Sequence, residues 1–430
     1  MSEPFEIKAD TALWASLDMD VERFKNVPPT LTQAFTSIFL SQQNRPEKMA
    51  YFDEMISNIF SGRIQEMVDA KAEGRPVIGT FCVYVPEEIV HAANGVCVGL
   101  CGGSPGSIPD AEKILPRNIC PMVKSAFGFK VGKICPFFQV VDIVYGETTC
   151  DAKKKTWELL NDYVPTHVME IPQMKRERDK QLWVEEVIDF KSAIEKQCDK
   201  VISNADLQNS ITVLNGKRQA LQRLNGLRHH TPSPISGRDM LLIQQIAFYD
   251  EPERFTEQVH LLCDELDARI KAGNAIAPAE TPRIMISGTP MALPNWKLHN
   301  IIENSGAVVV NEESCIGTRY YKDTIDTDGA NMTAMLERLT ERYMKIDCSC
   351  FTPNDDRIDQ VIREYRASGA QGIIDYTLQF CHSYNIEAVK LRRACEKEGI
   401  PFMAIESDYS PEDVGQLQTR VEAFLEQIQG

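Results

Sequence analysis

No apolar run in the 430 residues approaches the roughly 20 that span a bilayer, so a membrane-embedded role is not expected. The chain also lacks a basic surplus. Its 62 Asp and Glu against 46 Lys and Arg leave a formal charge of −16, whereas nucleic acid demands a basic surface, so the expected partners are proteins and small molecules. The opening Met1-Ser2-Glu3-Pro4-Phe5-Glu6 has no basic-then-apolar secretory pattern, and the expected location is cytoplasmic. No Gly-x-x-x-x-Gly-Lys-Ser/Thr phosphate loop or kinase-like set occurs, so the chain is not expected to hydrolyse a nucleotide itself. Low-complexity segments, heptads and short repeats are missing as well.

Cysteine, by contrast, is abundant: thirteen in all, six of them between Cys82 and Cys150. In a reducing compartment disulfides are rare, which leaves metal ligation, catalysis or burial. Soft thiolates hold iron-sulfur clusters and zinc where several sulfurs converge. Zinc is the rival metal, but the short Cys-x-x-Cys pairs of its structural sites do not occur.

Apolar runs at 76–85, 95–100, 140–145 and 167–171 read as strands, with helices at 47–71, 86–94 and 151–161. Residues 180–273 are charged and helical, broken at His229-His230-Thr231-Pro232. Strand signals return at 283–287, 307–310, 372–376 and 402–405. The expected fold class is α/β, with two doubly wound, Rossmann-like parallel-sheet lobes. The expected division is a helical N-terminal region (1–75), a first lobe (76–175), a helical insertion (176–281) and a second lobe (282–430).

Cys101, Cys150, Cys315 and Cys381 each fall just beyond the carboxyl end of an expected strand. In doubly wound sheets ligands bind at that edge, so two facing lobes would bring these thiols into one cleft. Cys120 and Cys135 each precede a proline, and Cys150 precedes Asp151-Ala152-Lys153-Lys154-Lys155. All three are expected at helix N-termini, where free amides stabilise a thiolate. The turn containing Gly102 and Gly103 would let backbone amides approach a sulfide. Packing is the expectation for Cys82 within a strand and for Cys198, Cys263 and Cys395 within helices, and it is favoured for Cys97; Cys348 and Cys350 stand evenly between ligand and core.

Three runs carry a resemblance: Leu115-Pro116-Arg117-Asn118-Ile119-Cys120-Pro121, Gly146-Glu147-Thr148-Thr149-Cys150-Asp151, and Gly372-Ile373-Ile374-Asp375 leading to Phe380-Cys381. In that order they resemble the 2-hydroxyacyl-CoA dehydratase and benzoyl-CoA reductase family, over most of the chain from about residue 76. The resemblance implies a [4Fe-4S] cubane on Cys120, Cys150 and Cys381. The surplus at Cys101, Cys135 and Cys315 is similar to the double-cubane cluster branch of that superfamily. This implies a bridged [8Fe-9S] unit on Cys101, Cys120, Cys135, Cys150, Cys315 and Cys381, with Cys348 the alternative to Cys315. It further implies a homodimer reduced by a separate iron-sulfur ATPase, and low-potential, oxygen-free reduction of small molecules such as acetylene or hydrazine. Glu147, His229 and His230 are candidate proton donors, against the plainer readings of amide binding for Glu147 and of surface or capping groups for the histidines. The alternatives are a single-cubane dehydratase or reductase subunit and a substrate-free electron carrier.

Overall fold

A computed structural model describes residues 4–329 and 331–430. Its architecture is α/β with two lobes, each built on a four-stranded parallel sheet. The first sheet holds β1 (Val77–Thr80), β2 (Val96–Gly99), β3 (Ile143–Glu147) and β4 (Thr166–Met169), in the order β2-β1-β3-β4. The second holds β5 (Arg283–Gly288), β6 (Val308–Glu313), β7 (Gly372–Leu378) and β8 (Phe402–Ser407), in the order β6-β5-β7-β8. The winding is therefore the same in both. It reverses between β1 and β3 and again between β5 and β7, and a crevice opens beyond the carboxyl ends of strands at such a reversal. Strands β5, β6 and β7 are buried at every position, as a parallel sheet covered on both faces requires.

Two strands of the first lobe differ most from the sequence reading. The apolar run that starts at Val77 does not stay in the sheet to Val85. Beyond Thr80, the Cys82 amide donates to the Glu147 side chain at 3.0 and 3.2 Å instead of to a neighbouring strand. A carboxylate 65 positions away thus ends β1 and frees Cys82 from the sheet. The strand expected at 140–145 is displaced because Pro136 opens the helix Pro136–Val140, and β3 starts only at Ile143. The helix expected at 47–71 is split into Met49–Ser57 and Gly62–Ala72. Between them, the Trp14 indole donates to the Phe60 carbonyl at 2.6 Å.

The charged segment forms the helices Glu177–Gln197, Asn204–Arg228, Gly237–Ile246 and Pro252–Lys271. Ser203 and Asp206 close a capping box at the start of the second of these. This helix ties the lobes together: Arg218 bonds Glu88 in the first, and Arg228 donates to the Val309 carbonyl of β6 at 2.9 Å. Near the N-terminus, Phe5 stacks on Phe35, and Phe35 and Phe39 meet Trp296 of the second lobe edge-on. Among the described residues, no helix is long and apolar enough to cross a membrane.

Candidate metal centre

The cysteines occupy equivalent places in the two lobes. Cys101 lies two residues beyond β2 and Cys315 two beyond β6. Cys150 and Cys381 each lie three residues beyond the third strand of their sheet and cap the next helix, Asp151–Leu160 and His382–Glu398. Cys120 and Cys135 cap the helices Pro121–Val131 and Pro136–Val140, each with proline at the first helical position. Cys348 and Cys350 lie between the helices Met332–Met344 and Asp355–Ser368.

Eight of these thiols line one cavity of about 370 Å³ between the lobes: Cys82, Cys101, Cys120 and Cys150 from the first, and Cys315, Cys348, Cys350 and Cys381 from the second. Cys120 is hydrogen-bonded to Cys381 across the lobe boundary, and Cys348 to both Cys315 and Cys350. The bond from Cys381, helped by the amides of Met122 and Val123 at the helix N-terminus, holds the Cys120 thiol below its ordinary range. Cys348 is held well down in the same way by its two thiol neighbours.

Cations sit beside the sulfurs in both lobes. The buried Lys153 ammonium donates to the Cys82 sulfur. Burial works against its charge, yet Cys82, Cys101, Glu147 and Cys150 together hold it protonated well above the ordinary lysine range. Burial pushes the Glu147 carboxyl up to about 7, with Lys153 pulling the other way. In the second lobe, Arg319 reaches the Cys315 sulfur at 3.5 Å, and the Tyr384 hydroxyl lies 3.6 Å from the Cys348 sulfur. The guanidiniums of Arg319 and Arg357 stand 5.2 and 5.0 Å from the centroid of the Tyr384 ring, and both contact buried Glu313. Such hydrogen bonds to ligand sulfurs tune a metal centre and fix its ligands.

This donor set does not close on a single ion. Among the described residues, no three His, Cys, Asp or Glu side chains converge as a mononuclear site would need. The sulfurs instead line a void between the lobes, an arrangement that fits an iron-sulfur cluster rather than one ion.

Several residues singled out in the sequence lie elsewhere. Cys135 does not line the thiol cavity; it faces a second cavity on the other side of Cys101. Gly102 and Gly103 do not line it either. A Cβ on Gly103 would meet the Ala292 carbonyl oxygen at 2.1 Å, and the Gly103 amide donates to the Leu293 carbonyl at 3.2 Å. These glycines therefore serve close contact rather than sulfide binding. The carbonyls of His229 and His230 accept from Arg283, the first residue of β5. The thiol cavity lies beyond the opposite end of that strand, about 20 Å away at 3.3 Å per residue, which removes both histidines from proton delivery there. Glu147 is fully buried beneath the cavity and holds the Cys82 amide. Cys263 and Cys395 are enclosed in apolar cores, and Cys97 faces a small pocket beside Lys217. Sequence reasoning missed Cys82 as a wall of the cavity, and it missed Arg319 and Tyr384 entirely. The spacing of Arg319, four residues after Cys315 at the start of a helical turn, is the one local signal that could have found it.

Two wound lobes with thiols at both reversal points define a class of cysteine-lined, two-lobe α/β proteins. Residues 82–428 match the family described as 2-hydroxyglutaryl-CoA dehydratase, D-component, and the chain belongs to that family. A putative dehydratase subunit, YjiM, of Escherichia coli is 37% identical over 88% of this chain and 98% of its own length. One of the benzoyl-CoA reductase subunits of Thauera aromatica is 24% identical over 80% of this chain and 88% of its own length. The beta subunit of (R)-2-hydroxyglutaryl-CoA dehydratase of Acidaminococcus fermentans is also 24% identical, over 83% and 94%.

Proposed function

We propose that the chain is a low-potential iron-sulfur reductase of small molecules, carrying a bridged [8Fe-9S] double cubane and charged with electrons by a partner ATPase. The observation that supports this is the ring of eight thiols shared evenly between two lobes. A single cubane would leave most of them without a role. Six are assigned to the cluster: Cys82, Cys120 and Cys150 from the first lobe, and Cys315, Cys348 and Cys381 from the second. Cys101 and Cys350 are left out: the Cys101 sulfur lies against the Phe81 carbonyl, and the Cys350 sulfur lies beside the Tyr84 hydroxyl. Cys101 and Cys135, both part of the set implied by the sequence, give way here to Cys82 and Cys348.

The cluster would supply stored low-potential electrons. The chain's own residues then have definite tasks. Lys153 and Arg319 balance the negative charge of the sulfurs, one in each lobe. Tyr384 donates toward Cys348, and Glu147 positions Cys82 through its amide. The helix N-termini behind Cys120, Cys150 and Cys381 direct amides at the sulfurs. The native assembly is proposed to be a homodimer in the cytoplasm.

Iron and acid-labile sulfide per chain after strictly anaerobic purification test this reading. About eight irons with slightly more sulfide are expected, and about four would instead favour a single-cubane protein. That second reading has the names of the relatives in its favour, since they are dehydratase and reductase subunits. Cys82→Ser should lose iron while Cys135→Ser keeps it; the reverse result would discard the assignment. ATP-dependent reduction of acetylene or hydrazine with an activating ATPase then separates a reductase from an electron carrier.

A further inference from the structure

A second cavity of about 380 Å³ lies beside the thiol cavity, where the N-terminal helices meet both lobes. Phe24, Phe60, Phe129, Phe138, Tyr249 and Trp296 are among its walls, and the Cys135 thiol faces it. Apart from the Tyr249 hydroxyl and the Cys135 thiol, the polar side chains at its edge are engaged within the protein. Arg23 is neutralised by Asp110 at 2.5 Å, Ser104 Oγ accepts from the Gly106 amide at 3.2 Å, and the Trp296 indole donates to Gln245 at 2.8 Å. A buried water needs two to four free polar partners, and apolar cavities without them stay dry. A cavity of about 150 Å³ lined by Leu, Ile and Phe already accepts benzene or xenon. The space here is more than twice that. Gly99, Cys101, Tyr249 and Leu293 line both cavities, so a wall one residue thick separates this space from the thiols.

We infer that the second cavity is a binding site for a small, uncharged, largely apolar molecule, about the size of one aromatic ring, held next to the thiol centre. Aromatic walls favour such an occupant by edge-to-face contact and area burial. An anion is disfavoured because the one cation at the edge is already paired. The inference does not depend on the cluster, so it is tested on the chain whether or not metal is present.

Fluorobenzene, followed by its ¹⁹F resonance, is the probe, with benzoate as a charged molecule of similar size. Fluorobenzene is expected to bind saturably and benzoate not to bind. Leu31→Phe and Ile134→Trp fill the second cavity and should weaken fluorobenzene binding at least tenfold, whereas Ile316→Trp, which fills the thiol cavity, should leave it unchanged. The opposite pattern of variants, or preferential binding of benzoate, would overturn the inference. Xenon-pressurised crystals of the unsubstituted chain give an answer that needs no substitution. Xenon between Phe60 and Phe129 supports the site, and ordered water in its place refutes it.

Discussion

Asp375, on β7, is 1% exposed, and burial pushes its carboxyl up to about 6; the Arg357 guanidinium 3.7 Å away opposes this shift, and the Glu313 charge adds to it. The folded chain therefore binds this proton more tightly than the unfolded chain does. The stability gained is complete below about pH 4, the ordinary aspartate value, and is lost as pH rises through 6. Asp375→Asn removes the titration. Its unfolding free energy, measured in guanidinium chloride, should gain on that of the parent by roughly 3 kcal/mol between pH 4 and pH 7. A difference that stays constant over this range would mean the carboxyl does not titrate there. Cys82 shows why single residues are hard to read from a sequence. Its neighbours Phe81, Val83, Tyr84 and Val85 extend an apolar run, and nothing local says that Glu147 will take its amide.

The helix Asn204–Arg228 sends Arg218 into the first lobe, where it meets Glu88 with both side chains fully buried. Glu88 also accepts from the Tyr343 hydroxyl at 2.8 Å, so one carboxylate joins three elements. Arg218→Met would leave this charge uncompensated, at an expected cost of about 3–5 kcal/mol, read as a lower guanidinium midpoint at unchanged slope. Adding Glu88→Met should restore most of that loss, because the pair is replaced by apolar volume. Elements whose signals are local were well legible. Proline after Cys120 and Cys135 marked two helix starts, and the strands of the second lobe fell close to their expected places. Boundaries that a distant side chain decides, as at Thr80 and Phe60, were not.

At the scale of the molecule, the thiol cavity belongs to neither lobe alone, since each contributes four sulfurs. A group bound by both lobes stabilises only the state in which they face each other. Anaerobic removal of the proposed cluster's iron is therefore expected to lower the unfolding temperature by at least about 2 °C, on the order of 2 kcal/mol for a chain of this size. It should also make the stretch between Gln197 and Asn204, which joins two helices of the charged segment, more sensitive to protease. No change in either would show that the thiols do not join the lobes through a bound group.

The sequence by itself determined the family, the two-lobe α/β class and the placing of Cys101, Cys150, Cys315 and Cys381 beyond strand ends, because strand patterns, prolines and short motifs act over a few residues. Only the tertiary structure decided which thiols share a cavity. Cys135 is turned away by the direction of a five-residue helix, Cys82 is released by a carboxylate from β3, and the two histidines are carried to the far end of β5. Convergence of side chains depends on how elements separated by tens or hundreds of residues pack together, and the spacing of cysteines along a chain does not encode it.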